Sequence, residues 1–141
     1  MAKDYAAGDS RWHFYSENAA YPVVIGGYAV LSGRQVVAKT SNYQLLPSES
    51  NTVFTNSGAS GAVSLNLPGT GVIENYTYEF LRVANQNFTI TMPLGTIVQV
   101  GSSVTSAGGS ITLDAVGARL RVVQVGPSLW MGDLTGAATF A

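Results

Sequence analysis

The chain has 141 residues, the size of one ordinary domain, of which 46% are hydrophobic and only 11% charged. Soluble chains usually carry about 25% charged residues, so part of this surface is expected to meet something other than water. A net charge of -1 supplies no field for nucleic-acid phosphates, and the lack of cysteine excludes disulfides, thiolate nucleophiles, iron–sulfur clusters and Cys-ligated zinc.

Residues 1–9 show no apolar run of signal-peptide type, and no later stretch is long enough to span a bilayer. The expectation is a product made soluble in a cytoplasm, with no membrane partner. Residues 12–15, 21–25, 28–31 and 35–38 are β-prone, and Ser32-Gly33 suits a hairpin turn between the last two. The polar stretch 39–51, which holds Pro47, is taken as the seam between an N-terminal arm or extra β layer (1–40) and a β domain (41–141).

Within the body, residues 62–67 alternate cleanly. Val63, Leu65 and Leu67 face one way, Ser64 and Asn66 the other, and Pro68-Gly69 ends the run. Residues 76–83 alternate less cleanly, and 88–92 repeat the period of two before Pro93. The intervening 84–87 reads as a hairpin connection. Four further strands are expected at 96–100, 111–113, 118–125 and 129–131, separated by Gly101, Gly108-Gly109, Gly117 and Gly126-Pro127. No segment carries a helical stripe, so the expected fold is all-β, an antiparallel β-sandwich or jelly-roll-like barrel of meander or Greek-key connectivity. The small, uncharged 135–141 stretch is expected to thread along a partner subunit or to fray.

Residues 41–132 resemble a small β module that recurs in tailed-bacteriophage structural proteins, including head-decoration (cement) proteins and parts of tail fibres. The resemblance is carried by Val53-Phe54-Thr55-Asn56 followed by Gly58-Ala59, the strand ending at Leu67-Pro68, the aromatic strand with Tyr78 and Phe80, and a late Gly108-Gly109 before a strand ending near Trp130. It implies a fold and a setting and transfers no catalytic residue.

The chemistry-bearing residues fit that reading. His13 is the sole histidine, with no Gly-x-Ser-x-Gly elbow and no cysteine to build a metal site around it, so it is read as a packed or rim residue. Asp4, Asp9, Glu17, Glu49, Glu74, Glu79, Asp114 and Asp133 are scattered singly and read as solvated charges, with no calcium loop among them. Gly101 and Gly108-Gly109 lack the following helix that a phosphate cradle requires. Neither a catalytic residue nor a cofactor is expected.

The densest aromatic cluster, Arg11, Trp12, His13, Phe14 and Tyr15 with Tyr21 nearby, is the candidate partner-binding surface, and filling of the domain's own core is its competing role. The resemblance implies a virion protein made in the host bacterial cytoplasm and released by lysis. The leading expectation is a homotrimeric decoration protein on the outer surface of the head, in contact with the major capsid protein or another virion protein. The alternative is a receptor- or glycan-binding module of a tail fibre or spike.

Overall fold

The computed structural model describes residues 34–69 and 75–141, and of residues 1–33 only the backbone pairing of four short strands. The chain divides into two compact units, Met1–Arg34 and Gln35–Ala141. In the first unit β1 (Ala2–Lys3) pairs antiparallel with β2 (His13–Phe14), and β3 (Val23–Ile25) with β4 (Tyr28–Val30).

The boundary falls earlier than the polar stretch 39–51. The reason is that β5 (Val36–Ala38) pairs in parallel with β7 (Thr52–Thr55) and so belongs to the body. The turn expected at Ser32-Gly33 lies outside the described residues; of the two strands it was to join, β4 pairs with β3 and β5 with β7. The 39–51 stretch is a tied corner containing β6 (Tyr43–Gln44) and a 3₁₀ turn, Pro47–Glu49. Its polar groups are used internally. The Glu49 carboxylate accepts hydrogen bonds from the Tyr43 hydroxyl (3.0 Å) and the Leu46 N–H (2.9 Å). Lys39 Nζ lies 3.6 Å from that carboxylate and 3.2 Å from the centre of the Tyr43 ring, a cation held by both charge and quadrupole.

Among the described residues the second unit forms two mixed sheets. One has seven strands, in the order β12 (Ser103–Val104), β11 (Ile97–Val100), β15 (Leu129–Thr135), β14 (Arg119–Gly126), β9 (Thr77–Leu81), β7, β5. The other has five, in the order β16 (Ala138–Phe140), β13 (Ser110–Leu113), β10 (Phe88–Thr91), β8 (Val63–Asn66), β6. The all-β class and the two-layer arrangement are those read from the sequence; the strand directions are not wholly antiparallel. From β5 to β10 every step crosses to the opposite sheet, so β5, β7 and β9 lie side by side in parallel, as do β6, β8 and β10. Parallel neighbours need a long crossover, and here a strand of the other sheet supplies it. Residues 84–87 are therefore an inter-sheet corner between β9 and β10, not a hairpin loop. The later pairings are mostly antiparallel, β13 against β10 and β16 and β14 against β9 and β15, while β11 lies parallel to β15.

The inward faces of both sheets share one core. Val63, Leu65 and Leu67 are all buried, as the alternation requires, together with Phe88, Ile90, Ile111 and Leu113 from the five-stranded sheet. The seven-stranded sheet contributes Phe54, Tyr78, Phe80, Leu120, Val122 and Trp130. Their rings form a chain, with centroids 5.9 Å apart for Trp130–Tyr78, 6.4 Å for Tyr78–Phe54, 6.2 Å for Phe54–Phe80 and 6.3 Å for Phe80–Phe88. Each such contact adds about 0.5–1.5 kcal/mol to the burial of the rings. The last contact crosses between the sheets and fixes their facing. The C-terminal stretch, expected to thread along a partner subunit or to fray, instead places Ala138–Phe140 in the five-stranded sheet against β13.

Two buried polar side chains hold the corner at 82–87. The Asn56 amide oxygen accepts from the N–H groups of Val83 and Ala84, both at 2.8 Å, and its amide nitrogen donates to the carbonyls of Ala84 (3.3 Å) and Gln86 (3.0 Å). The Arg82 guanidinium donates to the carbonyls of Leu113 (2.6 Å), Asn85 (2.7 Å) and Ala84 (3.3 Å). Both residues are at most 5% exposed, so these bonds replace water that cannot reach them.

Candidate functional site

The side chains of Arg11, Trp12, His13, Phe14, Tyr15 and Tyr21 lie outside the described residues. Of that cluster only the backbone of His13 and Phe14 is placed, opposite Lys3 and Ala2. Asp4, Asp9, Glu17 and Glu74 also lie outside the described residues. The remaining four acids stand apart in their roles. Glu49 ties the 39–49 corner, Glu79 lies 3.6 Å from Arg119, Asp114 accepts a 3.0 Å hydrogen bond from the Thr139 hydroxyl, and Asp133 is exposed. Among the described residues no three of His, Cys, Asp and Glu gather as metal ligands, and no helix is long and apolar enough to cross a membrane. Tyr78 is a core residue whose hydroxyl donates to the Leu46 carbonyl at 2.9 Å. Burial, reinforced by Tyr76 and Glu49, pushes its pKa well above the usual phenol value.

What the fold does build is two outward faces of unlike chemistry. On the five-stranded sheet the outward residues of the inner strands are Ser64, Asn66, Thr89, Thr91, Ser110 and Thr112. This face carries hydroxyls and an amide, with neither charge nor a large apolar group. Neighbouring hydroxyls are in hydrogen-bond register, Thr89 with Thr112 at 2.9 Å and Ser64 with Thr91 at 3.0 Å. β-Branched threonine suits a pleated surface, and its methyl group covers the sheet without adding a sticky patch.

The outward face of the seven-stranded sheet is aliphatic and charged. Along β14 the inward residues Leu120, Val122 and Gln124 alternate with outward Arg119, Arg121 and Val123. Along β15 the inward Trp130, Gly132 and Leu134 alternate with outward Leu129, Met131, Asp133 and Thr135. Antiparallel register then sets Arg119 opposite Thr135, Arg121 opposite Asp133, and Val123 opposite Met131. A β-bulge between Gln124 and Gly126 follows, where Val125 is 44% exposed, and Gly126 pairs with Leu129. Met131 is 40% exposed and Val36, on the edge strand β5, is 70% exposed. Arg121 and Asp133 are both exposed, face each other across neighbouring strands, and form no ion pair among the described residues.

Sequence reading missed this surface. The period of two at 119–123 was available, and so was the turn at Pro127-Ser128, but the position of Asp133 opposite Arg121 depends on the one-residue bulge. A bulge shifts register without changing composition, so nothing in the residue types announces it.

No family model matches the chain, and no curated protein matches it.

Proposed function

We propose that this chain is a non-catalytic structural protein of a bacteriophage virion, most simply a decoration protein that stabilises the head by binding its outer surface as a homo-oligomer, with a trimer as the expected state. The reading rests on the resemblance of residues 41–132 to the phage β module. The observation that carries it furthest is the outward face of the seven-stranded sheet, where Val123, Val125, Leu129 and Met131 form an aliphatic patch beside a few charges in a chain only 11% charged. Aliphatic groups at the solvent face of a sheet gain by being covered, which favours protein contact over a free surface. Stabilisation then works by linkage: a protein that binds only the assembled shell shifts the equilibrium toward that shell, and needs no cleft to do so. The contact with the major capsid protein and the virion location belong to this proposal.

One observation favours a second reading, the glycan-binding module of a tail fibre or spike. The uncharged hydroxyl and amide face made by Ser64, Asn66, Thr89, Thr91, Ser110 and Thr112 offers donors and acceptors to a neutral polyhydroxyl ligand.

Copy number separates the two. Quantitative staining of purified particles from the encoding phage gives a decoration protein at a multiple set by shell symmetry, and a fibre module at a few copies. Absence of the chain from particles refutes both, and specific binding on a glycan array with few copies per particle selects the second.

A further inference from the structure

We propose that copies of this chain associate around a rotation axis through the outward face of the β14–β15 ribbon, Arg121 of each copy pairing with Asp133 of the next. This deepens the homo-oligomer part of the function proposed above and rests on it only for the biological setting.

Three observations converge on that face. The first is its layering. Outward residues of the two strands come in cross-strand pairs, Arg119 with Thr135, Arg121 with Asp133 and Val123 with Met131, and end at Leu129 beside the bulged Val125. One end of the ribbon is polar and the other aliphatic. That is the pattern of an oligomer axis, in which apolar layers supply affinity and a polar layer fixes register and direction.

The second is the state of the charges. Arg121 and Asp133 sit directly opposite, with Glu79 of β9 opposite Arg121 on its other side, yet among the described residues Arg121 and Asp133 form no ion pair. By contrast Arg119, one pair along, lies 3.6 Å from Glu79. The unused pair has one charge on each strand of the ribbon. Around a cyclic axis the β14 side of one copy meets the β15 side of the next, so each Arg121 meets a neighbour's Asp133 and every charge is matched. A uniformly acidic or basic partner would satisfy one charge and repel the other, so complementarity favours a partner that presents both signs side by side, as a second copy of this chain does.

The third is position. β14 is the central strand of the seven-stranded sheet and β15 adjoins it, so the ribbon lies in mid-face, away from the edge strands β5 and β12. Mid-face packing of sheets against one another buries side chains and leaves backbone hydrogen bonding intact. Edge pairing, the other common route to association, would not use these residues.

The test uses the full chain in solution, without particles. Light scattering and sedimentation velocity should give an oligomer, a trimer if the expected symmetry holds, that dissociates on either charge reversal, Asp133→Arg or Arg121→Asp, with association weakened at least about tenfold. The double variant Arg121→Asp/Asp133→Arg should restore the oligomer, a rescue that no folding defect would produce. Val123→Lys, which leaves both charges in place, should dissociate it as well, whereas Thr112→Lys on the opposite sheet should not. Circular dichroism and thermal melts establish that each variant is folded. A wild-type chain that stays monomeric at high concentration overturns the proposal, as does an oligomer that survives both reversals. An oligomer behaving as expected in a chain absent from virions would keep the interface and refute only the virion role.

Discussion

The guanidinium of Arg82, just past the end of β9 in the seven-stranded sheet, donates a 2.6 Å hydrogen bond to the carbonyl of Leu113, the last residue of β13 in the five-stranded sheet. A cation from one layer is thus satisfied by the backbone of the other, and the two sheets are strapped at that end by a bond too buried for water to replace. Arg82→Met keeps much of the volume and leaves the carbonyls of Leu113, Asn85 and Ala84 without this donor. Urea denaturation should show a loss of about 2–4 kcal/mol, since hydrogen bonds to charged groups contribute more than neutral ones. A loss below about 0.5 kcal/mol would mean that the strap is dispensable.

Asn56 works on the same corner through four hydrogen bonds, two accepted and two donated. Asn56→Ala removes them all, and the amides of Val83 and Ala84 lose their acceptor. Hydrogen exchange at those two amides should accelerate far more than at Ile90 in the neighbouring strand, with an overall destabilisation of about 2–4 kcal/mol. Equal acceleration throughout would point to global loosening and away from a local clamp.

Gly132 lies in the middle of β15 facing inward, where a Cβ would come within 2.8 Å of Val100 Cγ2 and 3.3 Å of Leu120 Cδ1. Gly132→Val should therefore overpack the core and lower stability by about 1–3 kcal/mol. Gly61, which has open space around it, is the control, and Gly61→Ala should leave the thermal midpoint unchanged within error.

Tyr78 predicts the response to alkali. Burial raises its pKa above the ordinary phenol value, with Tyr76 and Glu49 adding to the shift, so the folded chain keeps the phenolic proton after the unfolded chain has released it. The stability tied to this proton is whole below about pH 10 and declines as the pH rises beyond it, because the unfolded state then binds fewer protons. Denaturation midpoints measured from pH 8 to 11 should fall at the upper end, and Tyr78→Phe should flatten part of that fall while costing the bond to the Leu46 carbonyl. An identical alkaline slope in the variant would remove Tyr78 from the account.

These contacts also explain what the sequence reveals and what it hides. The strand at 63–67 is legible because Val63, Leu65 and Leu67 alternate against Ser64 and Asn66, and alternation reports burial directly. Direction is not encoded in that pattern. A strand alternates in the same way beside a parallel or an antiparallel neighbour, so the coiling of β5 to β10 between sheets is invisible until the corners are seen. Residues 84–87 look like a hairpin loop by composition, and what makes them a crossover is the distant side chain of Asn56, which binds their backbone, and Arg82, which ties them to Leu113 in the other sheet. The short strands Tyr43–Gln44 and Ala138–Phe140 escape for a different reason: two or three residues are too few to display a period. Arg121 and Asp133 were legible only as isolated charges, since the bulge that brings them opposite each other leaves no mark in composition.

The claim on which the function depends is that this protein acts by covering and being covered, as a component of a virion. A cryo-electron microscopy reconstruction of the phage particle to which the proposed role assigns this chain tests it most directly. Density for the two-sheeted body is expected at symmetry-related positions on the outer surface of the head, with the β14–β15 faces of neighbouring copies turned toward a common axis. A particle whose density is fully explained without this chain would contradict it.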